Sequence, residues 1–244
     1  RTTAVRDGDD WILNGSKSCI TNANYAGTFI VTAVTDTSKG TRGGISSFIL
    51  ERGMDGFAVN KGDEKLGMRG SDWAELSFAD CRVPASQMLG DEGQGFANFM
   101  KTLDGGRIGI AALATGLAIG AFELSTRYAK ERMAFGKPIA AQQAIAFKLA
   151  DMAVGIEAGR HLIRSAAELR DADRPYTREA AMAKLFTSEM AMKVTHDAIQ
   201  IHGGYGFTTE YHVERMYRDA KLCTIGEGTS EVQRIVISRE LLKD

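Results

Sequence analysis

The stretch CRVPASQMLGDEGQGFANFM, Cys81 to Met100, divides the chain into two kinds of sequence. Ahead of Pro84 lie short runs rich in Val, Ile, Thr, Phe and Trp, separated by Gly, Asn and Asp. Beyond it Ala, Leu, Met, Glu, Lys and Arg dominate, and these are strong helix formers. The pattern predicts an α+β multidomain chain. A small antiparallel β-barrel or sandwich covers residues 1–90, and an all-α bundle covers residues 91–244.

Working back from the boundary, strands are expected over 11–13, 17–21, 28–35, 44–51, 57–61 and 74–83. Asn14-Gly15 between the first two is a hairpin-turn signal. Working forward, helices are expected near 94–133, 138–170, 177–202, 211–223 and 229–242. Pro138 and Pro175 sit where the helical pattern stops. Gly105, Gly109, Gly116 and Gly120 fall on nearby faces of the first helix, where small residues admit a second helix closely. The uncharged run 108–122 lies between Arg107 and Glu123. It is shorter than the roughly 20 residues of a spanning helix, so it is expected to be a buried core helix.

Composition narrows the function. The chain has 244 residues, 44% hydrophobic and 25% charged, which suits a folded protein with a sizeable core. Thirty Lys and Arg against 31 Asp and Glu leave a net charge of -1. That balance argues against a nucleic-acid binder and gives no reason to expect a membrane-surface protein. Cys19, Cys81 and Cys223 form no C-x-x-C pair and are expected to be free buried thiols. The polar opening, Arg1 to Asp10, does not read as a signal peptide, so none is expected in this stretch. The absence of an initiator Met suggests a fragment of something longer.

His161, His196, His202 and His212 form no metal-binding pattern, so no metal site is expected. A G-x-S-x-G elbow and a Walker A loop are both missing. His202-Gly203-Gly204-Tyr205-Gly206 follows a helix. It suits a helix stop, or a backbone surface open to phosphate. Ile225-Gly226-Glu227-Gly228-Thr229-Ser230 sets a carboxylate between two glycines and two helices. Ser230 and Gln233 have capping-box spacing. Glu227 is either a solvated loop residue or an acid–base group. Arg132 suits a helix C-terminal cap or a phosphate clamp. Asp104 and Arg107 are spaced for an intrahelical ion pair.

Together these pieces resemble the acyl-CoA dehydrogenase family of flavoproteins. The resemblance runs through Lys17-Ser18-Cys19-Ile20-Thr21-Asn22-Ala23, Leu66-Gly67-Met68-Arg69-Gly70-Ser71 and Cys81-Arg82-Val83-Pro84. It continues through Asp104-Gly105-Gly106-Arg107, Arg132 to Gln143 and Gln200 to Gly206. It closes with Arg218-Asp219-Ala220-Lys221 and Glu227-Gly228-Thr229-Ser230-Glu231. It implies a middle β domain and a C-terminal four-helix bundle. The family's N-terminal helical domain and its Thr-Glu-Pro-x-x-Gly-Ser-Asp-like segment are not matched.

The resemblance also implies an FAD cofactor, held by Cys19, Ile20 and Thr21 on the β domain. Arg132, Phe135, Gln143, Gln200, Gly203, Gly204, Thr229 and Glu231 match further FAD positions, some of them serving a neighbouring subunit. Asp104, Arg107 and Gly228 match substrate positions. Glu227 matches the catalytic base, with Gly106 where another branch of the family places its glutamate. Gly226 stands where relatives often carry tyrosine. The implied reaction is oxidation of an acyl-CoA to a trans-2-enoyl-CoA, a step of fatty-acid β-oxidation. The implied partners are an electron-transferring flavoprotein and further copies of the chain in a homotetramer. The bacterial cytoplasm or the mitochondrial matrix is the implied location. An acyl-CoA oxidase, an enoyl-CoA reductase and a non-catalytic oligomerising remnant are the alternatives.

Overall fold

The computed structural model describes residues 2–243 and divides into two compact units. The first contains Arg1–Lys65 and Arg69–Thr102, the second Leu66–Met68 and Leu103–Asp244.

The first unit is a six-stranded sheet. Its strands are β1 (Thr3–Asp7), β2 (Asp10–Thr21), β3 (Thr28–Val34), β4 (Ile45–Glu51), β5 (Phe57–Lys61) and β6 (Trp73–Pro84). The spatial order is β4-β3-β1-β2-β6-β5. Alternation along the strands sends Trp11, Leu13, Val31, Phe48, Leu50, Leu76 and Phe78 into one core. Three sequence expectations need correction. The sheet is open rather than a closed barrel, because β4 and β5 end it without pairing to each other. It is not wholly antiparallel, since β1 joins β3 in parallel at Thr3 and Val34. Asn14-Gly15 is not a hairpin turn, because β2 runs straight through it. The hairpin turns at Gly8-Asp9, with Gly8 at φ 62°. Asn14 instead faces a β-bulge. Its amide donates to Asp80 Oδ1 at 3.0 Å and its carbonyl accepts from Asp80 N at 2.9 Å.

The second unit holds five helices, in the places the sequence predicts: α1 (Gly95–Glu131, entering from the first unit), α2 (Gln143–Asp171), α3 (Thr177–His202), α4 (Val213–Cys223) and α5 (Ser230–Leu241). α3 is the hub and packs against α2, α4 and α5. The core is made largely of alanines, including Ala114, Ala118, Ala121, Ala191 and Ala198, with Met152, Ile156 and Val194. Of the α1 glycines, Gly120 packs tightly, since a Cβ there would lie 3.1 Å from Met216 Cε. Gly109 and Gly116 face open space, contrary to expectation. α1 contains an 18-residue stretch of mean hydropathy 1.7, long and apolar enough by composition to cross a membrane. Of that stretch 39% is buried inside the protein, on the face that carries Ala111, Ala114, Ala118 and Ala121.

The Leu66-Gly67-Met68 segment docks on α4. Arg218 Nη1 donates to Leu66 O at 2.9 Å, and Met68 N donates to Asp219 Oδ1 at 2.5 Å. A Cβ at Gly67 would sit 2.4 Å from Arg218 O, so only glycine fits there. Cys81 and Cys223 are buried free thiols as expected, whereas Cys19 is exposed.

Candidate active site

Glu227 lies in the turn between α4 and α5. Thr224 O accepts from Ser230 N at 3.1 Å and closes the turn. The turn forces Glu227 into the left-handed region at φ 55°, followed by Gly228 at φ 91°. A non-glycine residue held there stores strain, which surrounding contacts must offset. Two side chains supply them. Gln233 Nε2 donates to Glu227 O at 3.0 Å and to Gly228 O at 2.8 Å. Lys184 Nζ, from α3, donates to Gly228 O at 2.7 Å.

Both carbonyls are thus tied back, while the Glu227 N–H has no hydrogen-bond partner among the described residues. The Glu227 carboxylate also accepts no hydrogen bond there. It packs on Gly106 of α1, where a Cβ would come within 2.6 Å of Oε2. Burial pushes the Glu227 carboxyl above its usual 4.5, against the opposing pull of Arg107 and Lys184. The arrangement is a half-buried carboxylate with spare basicity beside an unused N–H donor.

Arg107 is itself buried. Its Nη1 bonds Asp104 Oδ1 at 2.5 Å, and Thr177 Oγ1 donates to Asp104 Oδ2 at 2.7 Å. The expected intrahelical pair therefore forms. Arg107 Nε remains buried with no partner, a donor left for something else.

The capping-box expectation fails in detail. Thr229 is the N-cap of α5, its hydroxyl accepting from Val232 N at 3.3 Å. Ser230 Oγ is buried without a partner, and Gln233 serves the Glu227 turn. Thr229 and the exposed Glu231 line a cavity of about 390 Å³ with Lys221, Thr224 and Ile225.

A second cavity, of about 540 Å³, gathers Arg132, Gly203 and Gly204 with Tyr128, His202 and Tyr205. No carboxylate lines it. The Arg132 guanidinium makes no ion pair among the described residues and lies 5.6 Å from the centre of the Tyr205 ring. Arg132 does not cap α1 through its side chain, since only its backbone bonds back, N to Tyr128 O at 2.8 Å. Beyond it, β7 (Met133–Ala134) and β8 (Lys137–Pro138) form a two-residue hairpin. Phe135 at φ 53° and Gly136 at φ 76° make its turn, leaving Phe135 95% exposed. Gln143 and Gln200 are exposed and lie outside the lining of this cavity.

In the first unit, Cys19 (φ 65°) and Asn22 (φ 61°) bracket Ile20 and Thr21 at the end of β2. The register slips between Lys17 and Ile20. Ile20 packs on the core, and the Thr21 hydroxyl is exposed with no hydrogen bond among the described residues.

Sequence reading missed Lys184, which is fully buried. A signal existed. Ala180, Lys184, Thr187, Ser188 and Ala191 share one helical face, otherwise small and buried.

Comparison with known proteins agrees with the fold. The acyl-CoA dehydrogenase middle domain matches residues 1–81 and the acyl-CoA dehydrogenase C-terminal domain matches residues 93–242. A probable acyl-CoA dehydrogenase of Bacillus subtilis is 54% identical over 243 residues, covering 100% of this chain and 64% of that protein. An acryloyl-CoA reductase (NADH) of Anaerotignum propionicum is 49% identical over 245 residues, covering 100% of this chain and 62% of that protein. Butyryl-CoA dehydrogenase from Megasphaera elsdenii superposes with a TM-score of 0.97 at 49% identity, covering 100% of this chain and 63% of that one. The chain thus spans slightly under two thirds of the length of these relatives. Since two of the family's domains follow one another along nearly all of its length, this chain belongs to the acyl-CoA dehydrogenase family.

Proposed function

We propose that the chain forms the middle and C-terminal parts of an FAD-dependent acyl-CoA dehydrogenase. In this reading Glu227 removes a proton from the carbon next to the thioester carbonyl, giving a trans-2-enoyl-CoA. The carrying observation is the Glu227 turn: a half-buried, hydrogen-bond-free carboxylate of raised proton affinity beside its own unused N–H.

The chemistry follows from that geometry. A thioester oxygen accepting the Glu227 N–H gains stabilisation as it becomes enolate-like, which acidifies the α-proton. A carboxylate lifted above 4.5 is a better match for that proton than an exposed one. Asp104, Arg107 and Gly228 are assigned to the substrate, the orphaned Arg107 Nε being the support for the second.

FAD, when bound, supplies the two-electron acceptor for the hydride lost from the β-carbon. The residues present fit such a group. Thr21 offers a free hydroxyl beside Cys19 and Ile20. The cavity holding Arg132, Gly203 and Gly204 combines an unpaired guanidinium with exposed glycine backbone, a setting suited to phosphate. Phe135, Gln143, Gln200, Thr229 and Glu231 complete the assignment. An electron-transferring flavoprotein as redox partner, a homotetramer, and a place in the bacterial cytoplasm or mitochondrial matrix belong to the same proposal.

The test is anaerobic titration of the full-length protein with acyl-CoAs, following the visible flavin band. Bleaching by one class is expected. Glu227→Gln should keep its FAD and slow bleaching by about three orders of magnitude or more, as loss of a base acting in the transition state requires. Full-rate bleaching in that variant would remove Glu227 as base. The reductase relative favours a second reading, in which the same groups run the reaction toward the saturated thioester. Oxidation of NADH upon addition of an enoyl-CoA would select it.

A further inference from the structure

Lys184 has no solvent exposure, and its hydrogen bond is to a neutral carbonyl, Gly228 O. A buried ammonium without a salt-bridged carboxylate is expensive, and a methionine would fill the same space without that cost. The charged and titratable groups around it come from each element packed on it: Arg107 from α1, Cys223 from α4, Glu227 from the turn and Glu231 from α5. Burial brings Lys184 down to about 8, and Arg107 adds to the effect. Burial pushes the Cys223 thiol up to about 11, so it is neutral. The negative groups left to balance Lys184 are Glu227 and Glu231, and Glu231 is exposed.

The carbonyl it holds belongs to the residue after Glu227. Gln233 shares that carbonyl and adds the preceding one. The two side chains together pin successive peptide units of a turn that carries a left-handed glutamate. Without them the peptide following Glu227 is free to rotate, and the left-handed turn that sets the carboxylate against Gly106 is no longer held.

We infer that Lys184 is a positioning residue for Glu227: its ammonium, tied to the Gly228 carbonyl, keeps the Glu227–Gly228 turn left-handed and supplies the buried positive charge that the Glu227 carboxylate faces. The inference rests on the reading of Glu227 as the base.

The experiment compares Lys184→Met and Lys184→Gln in the full-length, FAD-loaded protein. The first readout is the carboxyl titration of Glu227, followed by 13C NMR and assigned with Glu227→Gln. The second is the single-turnover rate of flavin bleaching by butyryl-CoA. Lys184→Met should move the Glu227 titration to higher pH and slow bleaching at least about tenfold. Lys184→Gln keeps a neutral donor for Gly228, so it should share the titration shift while retaining more of the rate. If the Met variant does not fold, the Gln variant alone carries the titration comparison.

An unchanged titration and unchanged bleaching in a folded variant would overturn the proposal and leave Lys184 a packing residue. A shifted titration with wild-type bleaching in Lys184→Met would overturn the clamp. If no acyl-CoA bleaches the unaltered protein, the dehydrogenase reading fails, and the Glu227 titration still decides the place of Lys184.

Discussion

The sheet unit and the helical unit solve the problem of an interior differently. The sheet buries Trp11, Leu13, Phe29, Phe48, Leu50 and Phe78, and its buried polar residues are hydroxyls: Thr2, Ser46 and Ser47. The helical unit buries mostly alanines, and among them Arg107, Lys184, Asp197, His202 and Gln233. Large apolar side chains each contribute about 1.5–3 kcal/mol on burial, so the sheet is held by area. Alanine adds little area but lets backbones approach, and the space gained accommodates long polar side chains. Every charged residue buried among the described ones lies in the helical unit, next to the proposed chemistry or in an ion pair. The lesson is that a buried charge without a salt-bridged partner, as at Lys184, marks where the protein does more than fold.

Four measurements sharpen or break that contrast. The largest effect is expected in the sheet. Phe48→Ala removes a fully buried ring packed edge-on to Trp11 and should cost about 3–5 kcal/mol, read by denaturant unfolding of the sheet unit's amides in hydrogen exchange. A loss below about 1 kcal/mol would mean that the sheet is not held by area.

Gly106→Ala probes the helical unit. Its new Cβ would meet the Glu227 carboxylate at 2.6 Å, so the carboxylate must shift. A rate loss of about tenfold with little change in stability is expected, since a small displacement of a base acts on geometry before it acts on packing. Loss of stability with the rate intact would place Gly106 in the scaffold instead.

Asn14→Ala should be milder, about 0.5–1.5 kcal/mol, because it removes an exposed two-way hydrogen bond with Asp80. A thermal melt with no shift would show that the bulge holds itself.

The smallest effect is a pH dependence. Glu227 ionises near 4.5 when unfolded and higher when folded, so the folded state binds its proton more tightly. Ionised Glu227 therefore costs stability, a cost that appears as the pH rises through the folded value and vanishes below 4.5. Glu227→Gln should melt slightly later than the native chain near neutrality and together with it below pH 4.5. Identical melting at every pH would remove burial as the cause of the raised proton affinity.

How much of this was legible beforehand follows the same contrast. Runs rich in Val, Ile, Thr and Phe between turn residues exposed β3, β4 and β6, and the α3 bounds of 177–202 match the observed Thr177–His202. β1 was missed because Thr3–Asp7 is short and carries Arg6 and Asp7. Asn14-Gly15 misled because its turn chemistry is outweighed by the register that pairs β2 with β6 on both sides of it. Glu227, Arg132 and the paired glycines were visible through their order along the chain. Lys184 was not, since a lone lysine on a helix ordinarily points to water, and only packing shows that this one does not. The left-handed turn at Glu227 was hidden for a related reason: two flanking glycines signal freedom, and the residue between them takes the strain.

α3 also sets a distance. Lys184 and Gly203 are separated along one continuous helix by about 28 Å at 1.5 Å per residue. Over that span two unit charges interact by only about 0.6 kcal/mol at an effective dielectric constant of about 20. An anion settling beside Arg132 and Gly203 is therefore felt only weakly at Glu227. The proton affinity of the glutamate answers to its own turn, to Arg107 and to Lys184, whatever occupies the far end of the rod.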